Sequence, residues 1–166
     1  MKVSDCTSMA DDSYRLGVGA LILNSQGLVF VGRRIETPGA WQMPQGGLNA
    51  MEDPRDAVLR EVAEEIGTSR VDIIAEATSW LSYDLPPDVA ARIWGGRYQG
   101  QKQKWFALRF TGEDDDIDLA ADVRPEFDAW RWLPIDELPD VIVDFKRNLY
   151  CQVVEVFQGV ARAVQP

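Results

Sequence analysis

None of the 166 residues is histidine. That absence removes Ser-His-Asp catalysis and every histidine-containing zinc set, and leaves acid–base work to carboxylates, lysine, tyrosine or a metal-activated water. The two cysteines, Cys6 and Cys151, share no metal-ligand spacing and form no disulfide framework. They fit a cytoplasmic protein with reduced thiols. No apolar run approaches the ~18 residues of a membrane span, so no membrane partner is expected. Positive charge is also scarce: 17 Lys and Arg face 27 Asp and Glu, a net charge of −10. A broad grip on nucleic acid needs the opposite balance, although a small site can hold phosphates with bound cations and a few basic side chains. Met1 to Asp12 has neither a basic n-region nor an apolar h-region. This segment reads as a flexible N-terminal tail, not a signal peptide. Residues 13–166 are long enough for one domain with its own core, and a hydrophobic content of 46% fits a globular chain.

What the chain concentrates is carboxylate. Arg60-Glu61-Val62-Ala63-Glu64-Glu65 falls in a segment with helical patterning. At ~100° per residue, Glu61, Glu64 and Glu65 share one face. Glutamates that close repel each other. A hard cation such as Mg²⁺ reverses the sign of that effect, because carboxylate and phosphate oxygens hold it together. The pattern therefore points to metal-assisted chemistry on a phosphate chain. The helix is well bounded: Asp53 is a candidate N-cap, Pro54 stands at N1, and Asp56 at N3 makes a variant capping box. Ala57, Val58, Val62 and Ile66 form its apolar side, and Gly67 sits at C′.

Elsewhere the pattern is coarser. Arg15 to Leu23 reads as a buried strand, Asn24 to Gly27 as a turn, and Leu28 to Arg33 as the returning strand of a hairpin. Glu36 to Gly47 is rich in Gly, Pro and Gln and reads as a loop. Val71 to Tyr83 contains strand-like segments. Asp84 to Gly100 is a long connection with a short helix near Asp88 to Ile93, the kind of segment that forms lids or binding loops. Lys102 to Phe110 and Phe127 to Leu133 read as strands, Asp136 to Leu138 as a helical turn, and Phe145 to Ala163 as a final helix. A mixed sheet with helices on both faces is the economical α/β architecture. Asp114, Asp116 and Asp118 invite a calcium reading, but Leu119 and Pro125 replace the Gly and Glu that an EF-hand loop needs. A solvated turn accounts for them better. Trp130 and Trp132 read as core or sheet-face residues.

The spacing of Gly46, Glu52, Arg60, Glu61, Val62, Glu64, Glu65 and Gly67 matches the Nudix box, here spanning residues 46–68, with Thr68 in place of its last aliphatic residue. The resemblance extends through Tyr14 to Gly19, Arg33-Arg34, Trp41 to Gly47, Gly100 to Phe106, Pro125 to Trp132 and Phe145 to Arg147. Across most of the chain it is similar to the bacterial RNA pyrophosphohydrolases, a Nudix subgroup that includes asymmetrical dinucleoside tetraphosphate hydrolases. The resemblance implies a Nudix-type α/β/α sandwich with a mixed central sheet, with residues 13–166 as a single Nudix domain.

It also implies roles. Glu61, Glu64 and Glu65 would bind Mg²⁺, or Mn²⁺ in its place, with the Gly46 carbonyl. Glu126 would add a further ligand or a general base. Arg60 would orient the carboxylates through a bidentate ion pair, Glu52 would brace the loop–helix join, and Gly67 would close the helix. Arg15, Arg34, Lys102, Lys104 and Lys146 match positions on the substrate side, though each also reads as a solvated surface charge. Val143, Phe145 and Lys146 with Arg34 would cradle the second nucleotide of an RNA end; Phe145 reads equally as helix-start packing, and Tyr83 is a weaker candidate. The implied reaction is hydrolysis of the 5′ tri- or diphosphate end of RNA to a 5′ monophosphate. Two rivals stand: a diadenosine tetraphosphate (dinucleoside polyphosphate) hydrolase, and a catalytically silent Nudix module that binds a nucleotide. No obligate protein partner is evident.

Overall fold

A computed structural model describes residues 13–166; the tail expected over Met1 to Asp12 lies outside the described residues. Strand β1 (Tyr14–Leu23) forms the axis of the sheet. From Val18 to Leu23 its side chains are buried on both faces, which explains the unbroken apolar run. It pairs in parallel with β7 (Gly100–Phe110) from Tyr14↔Gly100 to Leu23↔Arg109. The expected turn follows, with Asn24 Oδ1 accepting from the Gln26 and Leu28 N–H groups at 3.0 Å. β2 (Val29–Arg34) then returns antiparallel, registered to β1 at Leu23↔Val29. Beyond that point its partners are β8 (Phe127–Leu133) and β3 (Trp41–Gln42).

The stretch expected to be a loop, Glu36 to Gly47, carries two short strands. They are β3 and β4 (Gln45–Gly47), and β4 pairs with β1 through Gly17↔Gly47, Val18↔Gly46 and Gly19↔Gln45. Its glycines and glutamine read as loop, yet they lie along an existing strand whose groups need partners. β5 (Val71–Glu76) and β6 (Leu81–Asp84) both pair with β7 and complete an eight-stranded mixed sheet.

Helix α1 (Pro54–Ile66) covers one face and α4 (Arg147–Val164) the other. Period-two alternation assigns the sides. Val18, Ala20, Ile22, Phe106 and Leu108 meet Ala57, Val58, Val62 and Ile66 of α1. Leu21, Leu23, Trp105 and Ala107 meet Leu149, Tyr150, Val153 and Phe157 of α4. Each large side chain taken fully from water contributes ~1.5–3 kcal/mol before entropy is counted. The α/β/α sandwich is therefore present.

α1 starts and stops as its sequence signals suggest, with one difference. Asp53 accepts from Arg55 N–H at 2.8 Å, so the cap bond falls at N2 rather than at Asp56. Gly67 ends it in the left-handed region (φ 74°), its N–H bonded to the Ala63 carbonyl. The expected final helix is shortened at its start: Asp144–Lys146 form a 3₁₀ turn before α4. Two short helices, α2 (Pro87–Arg92) and α3 (Leu138–Val141), lie between strands or before α4. Asp114–Asp116 form a 3₁₀ turn closed by Glu113 N–H to Asp116 (2.7 Å), as expected of a solvated turn. Trp130 and Trp132 pack on Phe30 with ring centres 5.7 and 6.0 Å away, on the α1 side.

Candidate active site

One guanidinium organises the join between β4 and α1. Arg60 Nε and Nη2 donate to the two oxygens of Glu52, both at 2.9 Å, as a bidentate fork. Nη2 also donates to the Gly47 carbonyl at 2.9 Å, and Nη1 to Glu61 at 2.8 Å and towards Glu64 at 3.4 Å. Arg60 and the Asn49 N–H hold the Glu52 carboxyl down to about 2. Helix, loop and strand are thus tied through a single side chain.

Neither of the paired glycines has a positive φ; each is closely approached by the end of a charged side chain. A Cβ on Gly46 would stand 2.0 Å from the Glu61 carboxyl carbon, and one on Gly47 would stand 2.3 Å from an Arg15 guanidinium nitrogen.

Glu61, Glu64, Glu65 and Glu126 line one cleft of about 390 Å³, with Gly46, Arg15 and Arg34 in its walls. Glu65 is buried, and the Gln45 N–H donates to its Oε2 at 3.2 Å. Burial first, then the charges of Glu61 and Glu126, push its carboxyl well above the ordinary range. Burial likewise raises Glu61, against the pull of Arg60. Glu64 is exposed. Glu126 enters from the loop before β8, where its carbonyl accepts from Ile35 N–H at 3.1 Å. Among the described residues no three acidic side chains are drawn into metal-ligating geometry; Glu61 and Glu64 lean instead on Arg60. That is how like charges arrange themselves around the nearest cation.

A second cleft, about 440 Å³, adjoins the first and shares Arg34, Glu36, Gln45 and Trp94 with it. Tyr83, Val143, Phe145 and Lys146 form its wall, and α2 contributes Val89 and Arg92. The Tyr83 and Phe145 rings are 6.1 Å apart. Lys146 is 4% exposed; its Nζ lies 3.4 Å from Gln42 Oε1 and 5.2 Å from the Tyr83 ring centre. Burial, then Arg34, lower its ammonium to about 7, against the raising effect of Glu65 and Glu126. Arg34 Nε is buried without a hydrogen-bond partner among the described residues. A larger groove of about 610 Å³ opens beside Asn24, Arg109 and Asp114. None of the expected site residues lines it.

Two residues expected on the substrate side do not reach either cleft. Lys102 and Lys104 alternate with Gln101 and Gln103 along β7 and so share the face of Phe106 and Leu108. Lys104 donates to the Ala77 carbonyl and stands 3.8 Å from Glu76. Residues not foreseen also line the clefts, among them Gln42, Gln45 and Trp94. Trp94 has φ 50° and carries the Arg15 guanidinium 4.9 Å from its ring centre. Its signal was its place in the long connection between Asp84 and Gly100. The glutamines lie in the Trp41 to Gly47 stretch of the resemblance, which gave them no role of their own.

The NUDIX domain family matches residues 13–153, and the chain belongs to it. Within that family the chain is 55% identical, over 93% of each chain, to an "RNA pyrophosphohydrolase" of Rhodospirillum rubrum. It is 51% identical to an "RNA pyrophosphohydrolase" of Gluconacetobacter diazotrophicus, over 96% of this chain and 99% of that one. The fold is shared with the E. coli dihydroneopterin triphosphate pyrophosphohydrolase (TM-score 0.67, 20% identity, 85% of this chain and 97% of that one).

Proposed function

We propose that the chain is a divalent-metal-dependent pyrophosphohydrolase that trims the 5′ tri- or diphosphate end of RNA to a 5′ monophosphate. The carrying observation is the pair of adjoining clefts, one walled by Glu61, Glu64, Glu65 and Glu126 and the other by Tyr83, Phe145 and Lys146, joined at Arg34 and Gln45. The strong similarity to relatives named RNA pyrophosphohydrolase supports the same substrate.

The donor set fits Mg²⁺. Glu65 is a buried carboxylate beside the like charges of Glu61, Glu64 and Glu126, a state that oxygen-loving divalent cations relieve. Glu61, Glu64, Glu65, Glu126 and the Gly46 carbonyl would hold it, and Mn²⁺ could take its place. When bound, the cation would neutralise phosphate charge and lower the pKa of water. The remaining work falls to the chain. Arg60, anchored by Glu52, holds Glu61 and Glu64 in place directly. Arg15 and Arg34 receive the phosphate oxygens by charge-assisted bonds. Glu126 accepts the proton of the attacking water as a P–O bond forms and pyrophosphate or phosphate leaves. Tyr83 and Phe145 offer apolar faces to a base, and stacking of that kind is worth ~1–3 kcal/mol. Lys146 meets the nucleotide's polar edge or backbone.

No helix among the described residues is long and apolar enough to cross a membrane. An RNA substrate would place the enzyme's work in the cytoplasm. The direct test is Glu64→Gln assayed on 5′-triphosphate RNA with Mg²⁺. Turnover should fall about a hundredfold or more with the fold intact; near-normal Mg²⁺-dependent turnover would sink the assignment.

A further inference from the structure

Beneath the two clefts lies a buried chain of side-chain amides that the reaction does not use directly. Gln103 makes three bonds: its Nε2 donates to Gln45 Oε1 (2.7 Å) and to Gln101 Oε1 (3.1 Å), and its Oε1 accepts from Trp105 Nε1 (3.1 Å). Gln101 Oε1 also accepts from the Tyr83 hydroxyl at 2.7 Å. Gln101 and Gln103 are 1% and 0% exposed. The indole N–H is a donor and cannot accept. It therefore forces the Gln103 oxygen towards Trp105, which turns the Gln103 amide nitrogen towards Gln45 and Gln101. Those two must then answer with their oxygens. One consequence is visible: Gln101 Nε2 is buried without a hydrogen-bond partner among the described residues. Turning that amide over would set nitrogen against nitrogen at Gln103, so the unpaired donor is retained although such groups are costly.

We propose that Trp105 and Gln103 act as positioning residues that polarise this network, so that Gln45 presents its N–H₂ donors, not its carbonyl oxygen, to the substrate's phosphate or ribose oxygens. Gln45 is the member that lines both clefts, and its own backbone N–H already serves Glu65. The network thus carries the donor-only character of an indole in the core, through two amides, to the seam between the phosphate and nucleotide clefts. An oxygen presented there would repel the phosphates; the amide hydrogens attract them. The inference rests on the proposed reaction for the identity of the ligand, while the amide polarity stands on the hydrogen bonds alone.

The test uses the full chain in two states. In the ligand-free protein, nitrogen-15 NMR should find the side-chain amide protons of Gln103 protected from exchange, with that protection reduced in Trp105→Phe. Unprotected Gln103 protons in the parent would overturn the polarity. A methylene-bridged 5′-triphosphate dinucleotide is then added with Mg²⁺. The Gln45 side-chain amide resonances should shift in the parent, and Gln103→Met should bind the analogue roughly three- to tenfold more weakly, the scale of one or two neutral hydrogen bonds. For 5′-triphosphate RNA, Gln103→Met should raise KM by a similar factor and change kcat little. A merely structural role would lower the melting temperature without moving the Gln45 signals. Binding of the analogue with no Gln45 shift, or parent-like KM in a folded Gln103→Met, would overturn the proposal. If Gln103→Met does not fold, Trp105→Phe carries the same comparison. Failure of the parent to bind or cleave any 5′-triphosphate RNA would count against the function while the ligand-free amide measurement still decides the polarity.

Discussion

Replacing Glu65 with glutamine should stabilise the metal-free protein at neutral pH and abolish its response to Mg²⁺. Glu65 is buried, with its carboxyl raised by burial and by Glu61 and Glu126. The sign follows from linkage. A carboxyl whose pKa is raised on folding holds its proton more tightly in the folded chain, so its contribution to stability is full below the ordinary glutamate range and is lost as pH rises through the raised value. Glutamine keeps the neutral shape and still accepts from the Gln45 N–H. Relieving an uncompensated buried charge is worth about 2 kcal/mol, and at roughly 2–4 °C per kcal/mol for a chain of this size the metal-free variant should melt about 4–8 °C higher at pH 8. At pH 4 the two should melt nearly together. Mg²⁺ at about a hundred times its Kd should add ~2.7 kcal/mol to the parent, and little to the variant. Scanning calorimetry on chelator-treated protein between pH 4 and 8, with and without Mg²⁺, measures all of this. A Glu65→Gln protein that melts lower than the parent at pH 8, yet gains as much from Mg²⁺, would refute the reasoning.

Gly46→Ala should leave the circular dichroism spectrum unchanged but cut kcat/KM about a hundredfold, because displacing a reacting group by ~1 Å costs that much and the new Cβ would stand 2.0 Å from the Glu61 carboxyl carbon; steady-state kinetics with RNA checks it. Lys146 carries its charge below about 7 and loses it above. KM for 5′-triphosphate RNA should therefore rise roughly three- to tenfold from pH 6 to pH 8, the size of one charge-assisted contact. In Lys146→Met, KM should be high and flat over the same range, as initial rates would report.

The acid-bearing helix was legible because several independent local signals agreed: Asp53-Pro54 at its start, Gly67 at its end, and one apolar side. β1 and the body of α4 were legible from the apolar pattern alone. β3 and β4 were not, because Trp41–Gln42 and Gln45–Gly47 owe their strand character to the neighbours they pair with, and short Gly- and Gln-rich segments carry no period. Lys102 and Lys104 line neither cleft. The motif matched, but the pleat of β7 sends them to the α1 face and sends Gln101 and Gln103 to the other. Phe145 and Lys146 reached the cleft because the chain turns in a 3₁₀ segment before α4, a boundary that apolar spacing does not mark. Trp94 depends on the fold of a long connection and on a left-handed backbone that a non-glycine residue seldom adopts.

The most direct measurement is a side-by-side rate comparison of 5′-triphosphate RNA, 5′-diphosphate RNA and diadenosine tetraphosphate, each with Mg²⁺ and the parent protein. An RNA pyrophosphohydrolase should convert both RNA ends to 5′ monophosphate at rates well above its cleavage of the dinucleotide. Faster cleavage of diadenosine tetraphosphate would make the enzyme a dinucleoside polyphosphate hydrolase. No cleavage of any of the three would contradict the proposed chemistry and leave a nucleotide-binding module.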